Sequence, residues 1–186
     1  VTLVGVINAD ASLYNGDFRA YERTFSLLTQ VVGRSGRGED AGIAIIQTLN
    51  PENEIIRLAQ HQDYEAFYQT EILSRKLMVY PPYCDIYHVG FSWEDREETE
   101  KCASAFFASI KEKAEYEYND QKFILLGPSV AAVPKISNKY RYGIIIKCKN
   151  TKRMRELIGT LLKDYGKNQK YKKITISIDI NPLTIH

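Results

Sequence analysis

Short uninterrupted apolar runs alternate along this chain with longer stretches in which apolar positions recur every three or four residues. That alternation predicts strands interleaved with helices. TLVGVI, residues 2–7, is continuous and apolar, the pattern of a strand buried in a parallel sheet. NADASLYNGD reads as a loop, with Asp17 placed to cap the helix that follows. Phe18, Tyr21, Phe25, Leu28 and Val32 then fall at helical spacing, and glycines end the run. GIAIIQT, residues 42–48, is a second buried strand, so residues 1–48 make a strand–helix–strand unit of α/β type. Asn50-Pro51 predicts an N-cap with proline at the first helical position, opening a short helix through about Gln60. Asp63 is placed to cap another, with Tyr64, Phe67, Tyr68, Glu71 and Ile72 spanning its faces. Pro81-Pro82 stops that helix and marks a domain boundary.

Beyond the prolines, residues 84–92 alternate imperfectly as a strand, and Ser92 with Asp95 forms a capping-box variant. The helix it opens runs to about Tyr118 with Ala103, Phe106, Phe107, Ile110 and Ala114 on one face. KFILLG (122–127) and YRYGIIIKC (140–148) read as strands joined by a proline-containing segment. Met154, Leu157, Ile158, Leu161, Leu162 and Tyr165 define a further amphipathic helix, with Gly166 expected as its C′ residue. KITISIDI, residues 173–180, alternates strictly. The order βαββαβ predicts a split-βαβ, ferredoxin-like α+β domain. The expected organisation is residues 1–50 in an α/β unit, 51–81 as a helical connector and 82–186 as the α+β domain.

Composition narrows the class. With 186 residues, 44% hydrophobic and 26% charged, the chain can bury a core in one or two domains. No apolar run approaches the roughly 18 residues that span a bilayer. The start, VTLVGVINAD, lacks Met and a basic leader and reads as a core strand, the expectation for a piece of a longer protein. Cys84, Cys102 and Cys148 lie far apart with no C-x-x-C pair, which predicts core thiols in a reducing, cytoplasmic setting and no metal site. Charge is segregated. Residues 94–120 hold nine acidic against four basic residues, net −5, whereas 121–173 hold fourteen basic against two acidic, net +12. The second stretch presents a positive field to nucleic acid or an acidic partner.

Two motifs carry candidate chemistry. QVVGRSGRG, residues 30–38, sets Arg34 and Arg37 among Gly33, Gly36 and Gly38 at a helix end, with Gln30 leading. Glycine permits close approach of backbone to a ligand, and each guanidinium is a permanently charged fork suited to phosphate oxygens. Paired there, they suit charge developing on a transferring γ-phosphoryl group, where such an arginine is worth about 10³–10⁵ in rate. An ordinary surface turn rich in Arg and Gly remains the competing reading. In the basic half, Lys135, Lys139, Arg141, Lys147, Lys149, Lys152, Arg153 and Arg155 are interleaved with Tyr140 and Tyr142. Cations hold phosphates and tyrosines stack on bases, at about 1–3 kcal/mol per base. Alternatively the lysines only solvate a strand edge and a helix face. His61, His88 and His186 share no ligand spacing and read as structural or surface, and Trp93 reads as a packing residue.

QVVGRSGRG resembles motif VI of superfamily 2 helicases. Taken in order, VTLVGVINAD, DFRAYERTFSLLTQVVGRSGRG, HQDYEAFYQTEILSRKLMVYPPY, LGPSVAAVPKISNKYRYGIIIK and IDINP resemble the primosomal replication-restart helicases over essentially the whole chain. The resemblance implies a partial RecA-like motor lobe two in residues 1–50, followed by the family's C-terminal domain. It implies an ATP-driven 3′-to-5′ DNA helicase using Mg²⁺, which recognises stalled or branched forks and starts primosome assembly in the cytoplasm, at the nucleoid. Arg37 matches the γ-phosphate arginine, Arg34 its companion and Gln30 the leading glutamine; Gly33 and Gly36 flank the phosphates. The C-terminal domain is implied to contact DNA, expected through Lys139, Tyr140, Arg141, Lys147, Lys152 and Arg153. The resemblance also implies docking of the acidic tail of single-stranded DNA-binding protein and contact with other primosome proteins. Val32, Ser35, Gly16 and Asn181 depart from the family pattern without removing a phosphate-facing group. No Walker loop or D-E-x-H box occurs in these residues, and the family's zinc-binding cysteines lie upstream, so the chain alone is expected not to hydrolyse ATP. Two other readings stand beside this one: another superfamily 2 translocase acting on branched DNA, and a non-catalytic nucleic-acid-binding module.

Overall fold

The computed structural model describes residues 2–14, 16–35 and 42–184. The chain divides into two units, residues 1–78 and 79–186. In the first, strand β1 (Leu3–Val6) pairs in parallel with β2 (Ile43–Ile46), Leu3 opposite Ile43 and Val6 opposite Ile46. Between them lie the single helical turn α1 (Asp10–Leu13) and helix α2 (Ala20–Val32). The sequence reading treats α1 as loop. Its anchor is Asp10, whose carboxylate accepts from Thr48 Oγ1 at 3.0 Å and Leu49 N at 2.9 Å, tying the turn to the end of β2. Both strands read as buried, yet Leu3, Ile43 and Ile45 are exposed, because the two-stranded sheet packs only one face on the helices.

Asp17 does not cap α2 as expected. Its Oδ1 accepts from Arg19 N one step before the helix, and its Oδ2 pairs with Arg23 at 2.9 Å. Helix α3 (Glu54–Gln60) begins later than Asn50-Pro51 implies. Asn53 is the cap: its Oδ1 accepts from Ile55 N at 3.0 Å and Ile56 N at 3.4 Å, while Pro51 sits in the preceding turn. Asp63 caps helix α4 (Tyr64–Leu77) through Ala66 N, as the pattern predicts. The core of this unit joins Leu13, Phe25, Leu28, Ile55, Ile56, Ala59 and Phe67.

The second unit has strand β3 (Asp85–Trp93), helix α5 (Arg96–Tyr116), strands β4 (Phe123–Ile136) and β5 (Lys139–Cys148), helix α6 (Lys152–Lys167) and strand β6 (Thr175–Ile180). The sheet order is β4-β5-β3-β6 with every pair antiparallel. Each βαβ connection therefore spans an intervening strand, the split arrangement expected from the element order. Alternate residues of the strands, among them Tyr87, Val89, Phe91, Tyr142, Ile144 and Ile146, meet Phe106, Ile110, Met154, Leu157 and Leu161 from the two helices.

Three local expectations change. Ser92 lies within β3, and Asp95 is the cap of α5, accepting from Glu98 N at 2.8 Å. The proline-containing connection is strand: β4 continues through it with register shifts after Leu126 and Val130, and closes on β5 through Ser137 and Asn138, both with positive φ. Gly127 is required at the first shift, since φ is +105° and a Cβ there would lie 2.8 Å from Gly143 O. Gly166 is inside α6, which ends at Asn168 instead.

Candidate functional site

Helix α2 carries the leading glutamine of QVVGRSGRG out of the core on its last turn, and the first arginine follows the Gly33 cap. Thr24, Phe25 and Leu28 are buried, whereas Gln30, Gly33 and Arg34 are exposed. The turn closes tightly. Gly33 N donates to Thr29 O at 2.9 Å, Arg34 N to Val31 O at 3.1 Å and Ser35 N to Val32 O at 3.2 Å. These bonds satisfy carbonyls that a helix end leaves unpaired. A Cβ on Gly33 would stand 3.2 Å from Thr29 O, so glycine keeps this turn uncrowded. Gly36 and Arg37, the other half of the motif, lie outside the described residues.

Gln30, Gly33 and Arg34 line one end of a groove of about 640 Å³ between α2 and α4. Glu22 meets Arg75 and Phe25 meets both Phe67 and Tyr64, so the two helices run antiparallel along it. Phe25 and Phe67 stack at 4.1 Å with planes 8° apart, and Tyr64 and Tyr68 stand exposed beside them. At the far end Arg75 donates from Nε to Glu71 at 2.8 Å and from Nη2 to Glu22 at 2.8 Å. Burial alone pulls the Arg75 pKa down, but the two carboxylates outweigh it and leave the group above its ordinary value. Sequence reading misses this network, although Glu71 and Arg75 stand four apart on one helix, the spacing that signals a side-chain pair. Arg34 has no side-chain partner among the described residues.

The basic residues of the second unit form two groups rather than one patch. Lys135, Lys139, Tyr140 and Arg141 sit at the β4–β5 turn, with Lys135 Nζ 4.7 Å from the Tyr140 ring centroid and Arg141 Nη1 donating to Val133 O at 3.4 Å. Lys149, Lys152, Arg153 and Arg155 lie at the other end of β5 and the start of α6. Eight residues of strand, about 26 Å, separate Lys139 from Lys147. Within the second group, Arg153 pairs with Asp120 at 3.1 Å, donates to Glu117 O and lies 5.0 Å from the Tyr118 ring centroid. Arg155 is bonded to Asn150 O and Oδ1, both at 2.9 Å. Lys152 stays open: its side chain is 86% exposed and Glu156 is 3.9 Å away. Lys147 is buried with its Nζ 3.5 Å from the Tyr80 ring centroid, and burial lowers its pKa. Tyr142 is buried too, donating to Glu100 at 2.9 Å and accepting from Arg96 at 3.4 Å.

Cys102 and Cys148 are buried thiols, as the sequence suggests, and Cys84 is half-buried, donating to Val79 O. No cluster of three His, Cys, Asp or Glu able to hold a metal occurs among the described residues. No described helix is long and apolar enough to cross a membrane. His61 is the C-cap of α3, and His186 lies outside the described residues.

The chain is similar to three bacterial proteins each named Replication restart protein PriA. That of Bacillus subtilis is 40% identical over 182 residues, covering 98% of this chain and 22% of the relative. That of Borreliella burgdorferi is 35% identical, covering 100% of this chain and 27% of the relative. That of Treponema pallidum is 30% identical, covering 98% and 27%. The chain thus spans about a quarter of the length of these relatives. Residues 76–183, more than half of the chain and nearly all of the second unit, match the family model described as Primosomal protein N C-terminal domain, and the chain belongs to that family.

Proposed function

We propose that this chain supplies the end of motor lobe two and the C-terminal domain of an ATP-dependent 3′-to-5′ DNA helicase acting in replication restart. The observation that supports this most directly is the pairing of a family match over 76–183 with the motif QVVGRSGRG ahead of it. On this reading residues 1–50 belong to a RecA-like lobe. Arg37, with Arg34 and Gln30, faces the phosphates of MgATP held against the first motor lobe. ATP and Mg²⁺ supply the transferring phosphoryl group and its counter-charge; the arginines neutralise what develops on the phosphoryl oxygens. Arg34 suits that role because its guanidinium is exposed and carries no competing ion pair among the described residues.

The second unit is the DNA-facing part. Lys139, Tyr140 and Arg141 at the hairpin, and Lys152 and Arg153 at the head of α6, offer phosphate contacts to branched or single-stranded DNA. Lys147 contributes from beneath, through the field of a buried cation. The partners are forked DNA, single-stranded DNA-binding protein and other primosome proteins, and zinc belongs to a part of the protein outside these residues.

The test is Arg37→Ala in the full-length protein. DNA-stimulated ATPase should fall by about 10³ or more, while fork affinity stays within a factor of two. An ATPase rate within tenfold of the parent refutes the assignment. The 186-residue chain alone should show no turnover above buffer.

A further inference from the structure

We propose that the groove between α2 and α4 is a binding site for a planar aromatic acid, its ring held against Tyr64 and Tyr68 and its acid group on Arg34. The volume, about 640 Å³, lies in the range that encloses a small molecule, and its walls have the apolar, ring-rich character such sites share. Tyr64 and Tyr68 are 63% and 45% exposed as residues, leaving aromatic surface open to offset stacking. Charge selects the ligand class. At one end Glu22 and Glu71 are both engaged by Arg75, so that end offers no unmatched cation. At the other, Arg34 has no partner among the described residues, and a carboxylate or sulfonate is what its fork matches. Thr29 adds a polar element to the same end. Its Oγ1 is buried without a hydrogen-bond partner among the described residues, an unmet group that an acceptor in the groove could satisfy after one χ1 step.

The site lies within the first unit and needs no nucleotide. Should Arg34 also serve MgATP as proposed above, the two ligands compete for it, but binding by the chain does not rest on that reading.

The 186-residue chain is titrated by fluorescence with 8-anilinonaphthalene-1-sulfonate and with its uncharged analogue N-phenyl-1-naphthylamine. One saturable site is expected, with the sulfonate bound about tenfold more tightly. Arg34→Gln should bring the sulfonate down to the level of the neutral analogue and leave that analogue unchanged. Ser26→Trp, which plugs the groove from an exposed position on α2, should remove both. Near-UV circular dichroism of each variant verifies that the core is intact. Equal sulfonate affinity in the parent and Arg34→Gln overturns the proposal, as does binding indifferent to Ser26→Trp. So does a concentration-dependent dimer, seen by sedimentation, that Ser26→Trp dissolves, for then a second copy fills the groove.

Discussion

Arg34 and Arg75 both line one groove, near opposite ends, and differ in what holds them. Arg75 is held between Glu71 and Glu22, and its side chain is 15% exposed; removing it leaves Glu71, itself buried, without its cation. A stranded buried acceptor costs about 1–3 kcal/mol. Arg75→Ala should therefore lower the unfolding free energy of the first unit by that amount, recorded by urea titration followed by circular dichroism. Arg34 has no comparable partner among the described residues, so Arg34→Ala should change the same free energy by less than about 0.5 kcal/mol. A large loss from Arg34→Ala would mean that its charge serves the local structure and not a ligand. The motif's residue types and spacing are legible in sequence, whereas the partners that distinguish these two guanidinium groups are legible only in part. Glu71 is signalled by its i,i+4 spacing to Arg75, but Glu22 reaches Arg75 only because α4 returns antiparallel to α2, which no local pattern encodes.

Among elements, α6 is the one whose sequence works against its own helix. Its first turn holds Lys152, Arg153 and Arg155 and no acidic residue, where the helix dipole favours negative charge. Arg153 and Arg155 are compensated by Asp120, Glu117 O and Asn150, but Lys152 is barely compensated. A local rule broken without repayment points to function. Lys152→Glu should stabilise the second unit by about 0.3–1 kcal/mol and weaken DNA binding. The slope of log K against log salt should shrink by about one to two units, since one phosphate contact is lost and a repulsion added. Gained stability with unchanged DNA affinity would reduce the lysine to a solvated surface group. The apolar periodicity of α6 is read correctly from Met154 to Tyr165, because its buried stripe repeats without interruption. The path of β4 is not. Pro128 and Pro134 imitate a loop, and only pairing with β5 on its inner side, with prolines tolerated at a sheet edge, makes that segment a strand. The same competition explains Asn50-Pro51: two asparagines compete for the cap, and Asn53 wins because its Oδ1 reaches the amides of Ile55 and Ile56, which are buried in the core.

At the scale of the whole molecule, the two units differ in what alkaline pH does to them. All three cysteines belong to the second unit, and burial pushes the thiols of Cys102 and Cys148 up to about 12. Below about pH 9 both thiols keep their protons whether the chain is folded or unfolded, so they add no pH dependence. Between about pH 9 and 12 the unfolded chain releases them and the folded one does not, so the unfolded state binds fewer protons and stability falls as pH rises. Each thiol then contributes about 1.4 kcal/mol of loss per pH unit. From pH 9 to 10.5 the pair removes about 3 kcal/mol, a large share of a typical domain's stability. Burial also raises the hydroxyl pKa values of Tyr87 and Tyr165 in the same unit, adding loss of the same sign at the upper end of the range. The single tryptophan, Trp93, packs against the core of the second unit and reports on it alone, whereas far-ultraviolet dichroism reports on both. The Trp93 transition should therefore move to lower urea over this pH range while the dichroism resolves a remainder that moves less. Cys102→Ala with Cys148→Ala should flatten the Trp93 trend to the part owed to the tyrosines. An unchanged trend in the double variant would show that the thiols are accessible to solvent, and with that the close packing of α5 and α6 on the sheet, on which the placement of Lys152 and the hairpin cations depends, would fail.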